Sequence, residues 1–166
     1  MKSLYKILKI RFDAEHNPVI PYFYHGNLIY YQIKNAYGFR GKSYPPYFNP
    51  PIDHKPAYII EHGDNTKFII SEGTFDCIAD LIMYPNRTPF GVMGSSITDY
   101  QIGMLRSYVP DNILIYMDET SISEKIANKI ARYIDYADIH IVKSNGEDPE
   151  EALKRKIQEQ IESEGY

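Results

Sequence analysis

From residue 66 onward the chain alternates short β-branched or aromatic runs with segments whose apolar residues recur every three or four positions, and this alternation constrains the fold most. Phe68-Ile69-Ile70 leads into Phe75, Ile78, Ala79 and Ile82 at helical spacing. Pro85 to Pro89 reads as a turn, and Phe90, Val92 and Met93 as a second short strand closed by Gly94. Ser96 or Thr98 can cap the next helix, which carries Ile102 and Leu105. Ile113 to Met117 is a third strand, Ile126, Ile130 and Ile134 line a third helix, and Ile139 to Val142 is a fourth strand. Asp148-Pro149-Glu150-Glu151 opens a polar last helix to about Glu164, with Asp as N-cap and Pro in the first position. Such a series predicts an α/β fold, a parallel sheet with right-handed crossovers and helices on both faces. Ligands of these sheets gather beyond the carboxyl ends of the strands, where this chain carries Glu72, Gly94 and Asp118.

The first 64 residues follow another pattern. Val19 to Tyr24 and Leu28 to Ile33 are β-rich runs separated by His25-Gly26-Asn27, a hairpin signal in which Gly and Asn can take positive φ. Ile7 to Phe12 can add a third strand. A loop rich in Gly, Pro and Tyr follows, from Ala36 through Arg40-Gly41-Lys42-Ser43 to Pro50-Pro51. We expect a small basic β-rich subdomain over residues 1–64 and an α/β domain over 65–166. Residues 1–66 hold eight Lys/Arg against five Asp/Glu, a balance of +3, while residues 67–166 hold ten against seventeen, a balance of −7. One reading of this asymmetry is a first half that touches phosphate and a second that holds divalent metal; the other is ordinary solvated surface.

Glu72-Gly73-x-x-Asp76 sits at a strand-to-helix junction, where two carboxylates can converge at one edge of the sheet. Asp118 adds a third if the first and third strands are neighbours, and Asp148 and Glu150 can approach from the last crossover. Mg²⁺ and Mn²⁺ favour oxygen ligands and keep several waters, so one to three carboxylates plus substrate phosphates suffice. Taken singly, each acid has a blander role: Asp148 as an N-cap, Glu150 as a favourable charge at a helix N-terminus, Asp76 as a first-turn acid, Asp118 as a loop cap.

In combination, Ile69-Ile70-Ser71-Glu72-Gly73-Thr74-Phe75-Asp76, Gly91-Val92-Met93-Gly94-Ser95-Ser96, Ile113-Leu114-Ile115-Tyr116-Met117-Asp118 and Gly146-Glu147-Asp148-Pro149-Glu150 resemble the TOPRIM module of DnaG-type and phage primases. The Gly-Glu-Asp-Pro element favours the primase branch over topoisomerases and nucleases of that superfamily. Upstream, Pro18 to Pro21, the hairpin and Tyr47-Phe48-Asn49-Pro50-Pro51 are similar to the subdomain that precedes TOPRIM in primase cores, so the resemblance runs from about Arg11 to Leu153. It implies a Rossmann-like sheet and divalent-metal-dependent synthesis of RNA primers on single-stranded DNA from ribonucleoside triphosphates. Glu72, Asp76 and Asp118 would be catalytic, with Glu72 in proton transfer or metal binding. Asp76, Asp118, Asp148 and Glu150 would hold Mg²⁺ or Mn²⁺, and Lys34, Arg40, Lys42 and Lys55 would grip nucleotide or template. A replicative helicase and a zinc-binding module would come from other chains.

The pattern departs from the family at one place. The family carries Asp-x-Asp after the third strand and a glycine soon after; here the run is Asp118-Glu119-Thr120, with Ser123 at the glycine position. Thr120 brings a hydroxyl but no charge. A working nucleotidyltransferase, a TOPRIM-type nuclease and a non-catalytic module that binds single-stranded nucleic acid or a replisome partner therefore all stay open at this point.

Other features narrow the field. One cysteine, Cys77, excludes a disulfide framework and a Cys-based zinc site, reads as a small buried apolar group, and with the reducing setting it suggests predicts a cytoplasmic protein. His16, His25, His54, His62 and His140 show no ligand spacing. No run reaches the ~18 apolar residues of a membrane span, and no P-loop is present, which excludes a helicase motor. Nine of the sixteen tyrosines precede residue 60; Tyr22 and Tyr30 are expected to pack, while Tyr44 and Tyr47 are open to base stacking.

Overall fold

The computed structural model describes residues 7–35, 45–62, 64–143 and 146–163. Two sheets carry the chain. The first is antiparallel, in the order β1 (Arg11–Phe12), β2 (Pro18–Tyr24), β3 (Asn27–Lys34), β4 (Tyr47–Phe48). The expected strand from Ile7 shrinks to two residues, because Ile7 and Leu8 form a helical turn and Lys9 takes a φ of 52°. The hairpin turn is where the pattern placed it, but His25 (φ 47°) and Gly26 (φ 76°) take the left-handed conformation, and Asn27 already belongs to β3. Two consecutive positive φ values match the twist of flanking strands.

The second sheet runs β5 (Tyr58–Ile59), β7 (Arg87–Gly91), β6 (Asp64–Ser71), β8 (Asn112–Ile115), β9 (Asp138–Ile141). The strands β7, β6, β8 and β9 are mutually parallel; β5 is an antiparallel edge strand on β7. The crossovers are α1 (Thr74–Met83), α2 (Asp99–Arg106) and α3 (Thr120–Ala131), and α4 (Pro149–Ser163) follows β9. Thr98 caps α2, accepting from Gln101 N at 3.1 Å while the Gln101 side chain accepts from Thr98 N at 3.0 Å.

Helices cover both faces. Phe68, Ile70, Phe90, Ile113 and Ile115 pack with Ile102 and Leu105 of α2 and Ile126 and Ile130 of α3. On the opposite face Ile69 and Leu114 meet Met83 of α1 and Ala152 of α4. The two sheets join through a third apolar cluster, in which the Tyr22 ring lies 5.2 Å from Tyr30 and 5.0 Å from Tyr58, with Cys77 and Leu81 beside them. Tyr22, Tyr30 and Cys77 are buried, as expected.

Three details differ from the sequence expectation. Pro89 lies inside β7, not in a turn; its carbonyl accepts from Ile60 N at 3.1 Å, so its missing N–H faces the short β5 and no bond to β6 is lost. The strand consequently ends at Gly91, before Val92 and Met93. On α1 the buried set is Thr74, Cys77, Ala79, Asp80 and Leu81, while Ile82 is 46% exposed. Of the spaced residues, Ala79 is buried and Phe75 and Ile78 pack against the Tyr22–Cys77 cluster, so Ile82 alone among these four turns outward. Among the described residues no helix is long and apolar enough to cross a membrane.

Candidate active site

Glu72 and Gly73 connect β6 to α1. Gly73 has an ordinary extended φ of −125°, so no unusual backbone angle requires a glycine. A Cβ there would stand 3.1 Å from Asp76 Oδ2, which accepts a 2.7 Å hydrogen bond from Gly73 N. Close approach of the Asp76 carboxylate, rather than turn geometry, is what the glycine permits. The Glu72 peptide is fixed from the loop that follows β7: Met93 N and Gly94 N donate to its carbonyl at 2.7 and 3.2 Å. Met93 adopts a φ of 62° to do so, a strained position of the kind found beside functional sites.

The neighbour condition on Asp118 is met. β8 pairs directly with β6, Ile115 opposite Ile70, and Tyr116 N continues the ladder to Ile70 O at 2.8 Å. Asp118 therefore emerges beside Glu72, near enough for its carboxyl to raise that of Glu72. Asp148 caps α4, accepting from Glu151 N at 2.7 Å, and this capping role leaves it among the residues that line the same cleft. Glu72, Asp76, Asp118, Asp148 and Glu150 all line this cleft, joined by Lys34 and Tyr47 from the first sheet.

Burial and the crowding of like charges both disfavour ionisation of these acids. Burial, then Asp118, Asp148 and Glu119, raise Glu72 above the usual carboxylate range. Asp76 is pushed up to about 6, first by burial, then by Asp148, Glu150 and Glu72, against the lowering effect of the Gly73 N–H. Tyr47 is raised by burial and by Glu150 and Asp76. Lys34 Nζ lies 3.8 Å over the Phe75 ring and 5.8 Å from the Tyr47 ring, which holds a cation at the mouth of the acidic group. Among the described residues no three acidic, histidine or cysteine side chains form a ready-made ligand cluster. The donor set nevertheless suits a hard cation: it is all oxygen, mutually repelling, and larger than the one or two carboxylates that a water-retaining Mg²⁺ needs.

Other expected residues fall elsewhere. Lys55 Nζ donates to Met93 O at 3.1 Å, bracing the loop behind Glu72 rather than lining the cleft. Arg40, Lys42 and Tyr44 lie outside the described residues. Thr120 is exposed at the start of α3 and does not line the cleft, and Glu119 reaches it only as a nearby charge on Glu72. Sequence reasoning missed the second layer: buried Gln32, which accepts from Tyr22 OH at 3.0 Å, donates to Asn49 at 2.7 Å and lies 3.4 Å from Thr74 Oγ1, ties the hairpin sheet to the first residue of α1. A lone polar residue in a β-rich run was the available signal.

No protein-family model and no curated protein sequence matches the chain. Solved structures do. The zinc-binding and RNA polymerase domains of the Aquifex aeolicus primase superpose with a TM-score of 0.64 at 18% identity, over 96% of this chain and 44% of that one. The primase domains of bacteriophage T7, bound to an RNA/DNA hybrid and dTTP in a complex with the lagging-strand DNA polymerase, give 0.58 at 13% identity, over 89% of this chain and 75% of that one. The primase fragment of the T7 primase-helicase gives 0.50 at 12% identity, over 90% and 62%. This chain thus spans less than half of the Aquifex protein fragment, and its fold, a β-rich sheet set against a parallel α/β sheet, is primase-like.

Proposed function

We propose that the chain is a TOPRIM-type, divalent-metal-dependent nucleotidyltransferase that extends RNA primers on single-stranded DNA. One observation carries the reading: on a primase-like fold, acids from three separate stretches of sequence meet in one cleft at the carboxyl ends of β6 and β8. Glu72 and Asp118, side by side in the cleft, form the pair that would share an ion or pass a proton; Asp76, Asp148 and Glu150 complete the oxygen set. Bound Mg²⁺ or Mn²⁺ would supply Lewis acidity at phosphoryl oxygen and lower the pKa of the attacking hydroxyl. The chain's own part is to hold its carboxylates in place through the Gly73 and Glu72 backbone bonds, and to offer Lys34 to phosphate. Tyr47 narrows the cleft above them. Ribonucleoside triphosphates and template are the partners this site fits, with a helicase and a zinc-binding module supplied by other chains.

The test is primer synthesis on single-stranded template with Mg²⁺ or Mn²⁺. Wild type should make primers, and Glu72→Gln and Asp118→Asn should abolish them with unchanged circular dichroism. Equal synthesis by all three, or none by wild type in either metal, refutes the assignment; hydrolysis of labelled strand without nucleotides would identify a nuclease instead.

A further inference from the structure

A two-layer antiparallel sheet normally turns polar side chains to water. The hairpin sheet does not. Directly paired residues share a face, so the ladder sets Arg11 against Val19, Pro21 against Tyr31, and Ile33 against Phe48 on one side. Ile20, Tyr22, Tyr30 and Gln32 occupy the other side and are buried. On the outer side Tyr31 is 40% and Phe48 54% exposed. Lys9 Nζ stands 4.0 Å over the Phe23 ring, exposed Arg11 lies in the same hollow, and among the described residues no carboxylate lines it.

We propose that this outer face is a stacking platform for a single nucleic-acid strand, with Tyr31 and Phe48 taking bases and Lys9 and Arg11 taking backbone phosphates. Aromatic faces with interleaved cations are the composition that unpaired polyanionic strands recognise. Tyr31 and Phe48 are diagonal neighbours across β3 and β4, which sets them roughly 7–8 Å apart, room for one base each. A second copy of the chain fits poorly, because a two-fold contact would press Lys9 and Arg11 against their own kind. Asp13 and Glu15 flank Phe48 on the far margin and steer the strand toward the basic side. At the other margin, Tyr47 follows on to the inner side with its ladder partner Lys34, and both line the acidic cleft. A strand crossing Phe48 over the β4 edge is thereby led to the carboxylates. That the strand is template rests on the primase reading; that the face binds it does not.

The experiment is fluorescence anisotropy of labelled oligo(dT) with the full chain in EDTA, without nucleotides. Wild type should bind in a salt-sensitive manner, and Tyr31→Ala and Phe48→Ala should each weaken binding about tenfold. Lys9→Ala with Arg11→Ala should flatten the salt dependence. The substituted side chains are exposed, so melting curves should overlay wild type; in addition, 5-bromouracil photo-crosslinks on the unaltered protein should map to Tyr31 or Phe48. Wild-type affinity in both alanine variants, crosslinks confined to other surfaces, or a dimer dispersed by Tyr31→Ala would overturn the proposal. Oligo(dT) binding at this face by a chain that makes no primers would uphold the platform while counting against the cleft assignment.

Discussion

Asp80 is a fully buried acid on α1, and among the described residues neither of its carboxyl oxygens has a hydrogen-bond partner within 3.5 Å. Burial raises it well above the ordinary aspartate value and the Asp76 charge adds to the rise; Ser71 lowers it, but the Ser71 hydroxyl is itself engaged with Cys77 Sγ at 3.4 Å. In the unfolded chain this carboxyl loses its proton near pH ~3.9, whereas the folded chain keeps it to higher pH. The resulting stability is complete below the unfolded value and is lost as pH rises through the folded one, at about 1.4 kcal/mol per pH unit. From pH 5 to 7 the wild type should therefore lose up to ~3 kcal/mol that Asp80→Asn, which cannot titrate, does not lose. Urea unfolding followed by circular dichroism at pH 5, 6 and 7 measures the gap. Asp76 and Glu72 titrate in both proteins and largely cancel in the difference. The difference in stability between the two proteins should grow from pH 5 to pH 7 in favour of the variant. Parallel curves would show that Asp80 is ionised or hydrated in the fold, and the burial argument would fail.

Two further substitutions probe the supports of the cleft. A Cβ at Gly91 would meet Cys77 Sγ at 2.9 Å and Gly73 O at 3.2 Å, so Gly91→Ala should cost about 1–3 kcal/mol in urea unfolding; adding Cys77→Ala should recover only part, since the backbone contact remains. At the hairpin, Tyr108 OH donates to Glu61 and accepts from His25 N, and the His25 ring stacks on Tyr108 at 4.4 Å. Tyr108→Phe should cost about 1 kcal/mol and speed hydrogen exchange at Gly26, whose N–H is held by Glu61 at 3.0 Å; unchanged exchange would show that the turn does not depend on this contact.

The parallel sheet was readable because its strands are short β-branched runs cut off by Gly or Asp, and Glu72 and Asp118 could be placed together once β6 and β8 were taken as neighbours. What stayed hidden depends on contacts distant in sequence. Tyr58–Ile59 is only two residues long and has no period, yet it becomes a strand because β7 offers it an open edge. The buried side of α1 is decided by the hairpin sheet and α4, so helical spacing alone promoted exposed Ile82 and overlooked Asp80. The reason for Gly73 lies three residues away, at Asp76, and that for Gly91 on another element entirely.

The departure at Thr120 carries less weight in the fold than in the sequence. Thr120 lies outside the lining of the cleft, whereas five carboxylates from β6, β8 and the α4 entry remain inside it, with Glu119 close enough to act on Glu72. Such a cleft repels a triphosphate: the neighbouring acids already raise Glu72 and Asp76, and among the described residues that line it Lys34 alone opposes them. Divalent cations reverse that field, since they favour ionised carboxylates and then present positive charge outward to phosphate. Under the proposed function, nucleotide affinity should accordingly be set by metal more than by protein cations, and the missing second aspartate should be felt first as weaker metal binding.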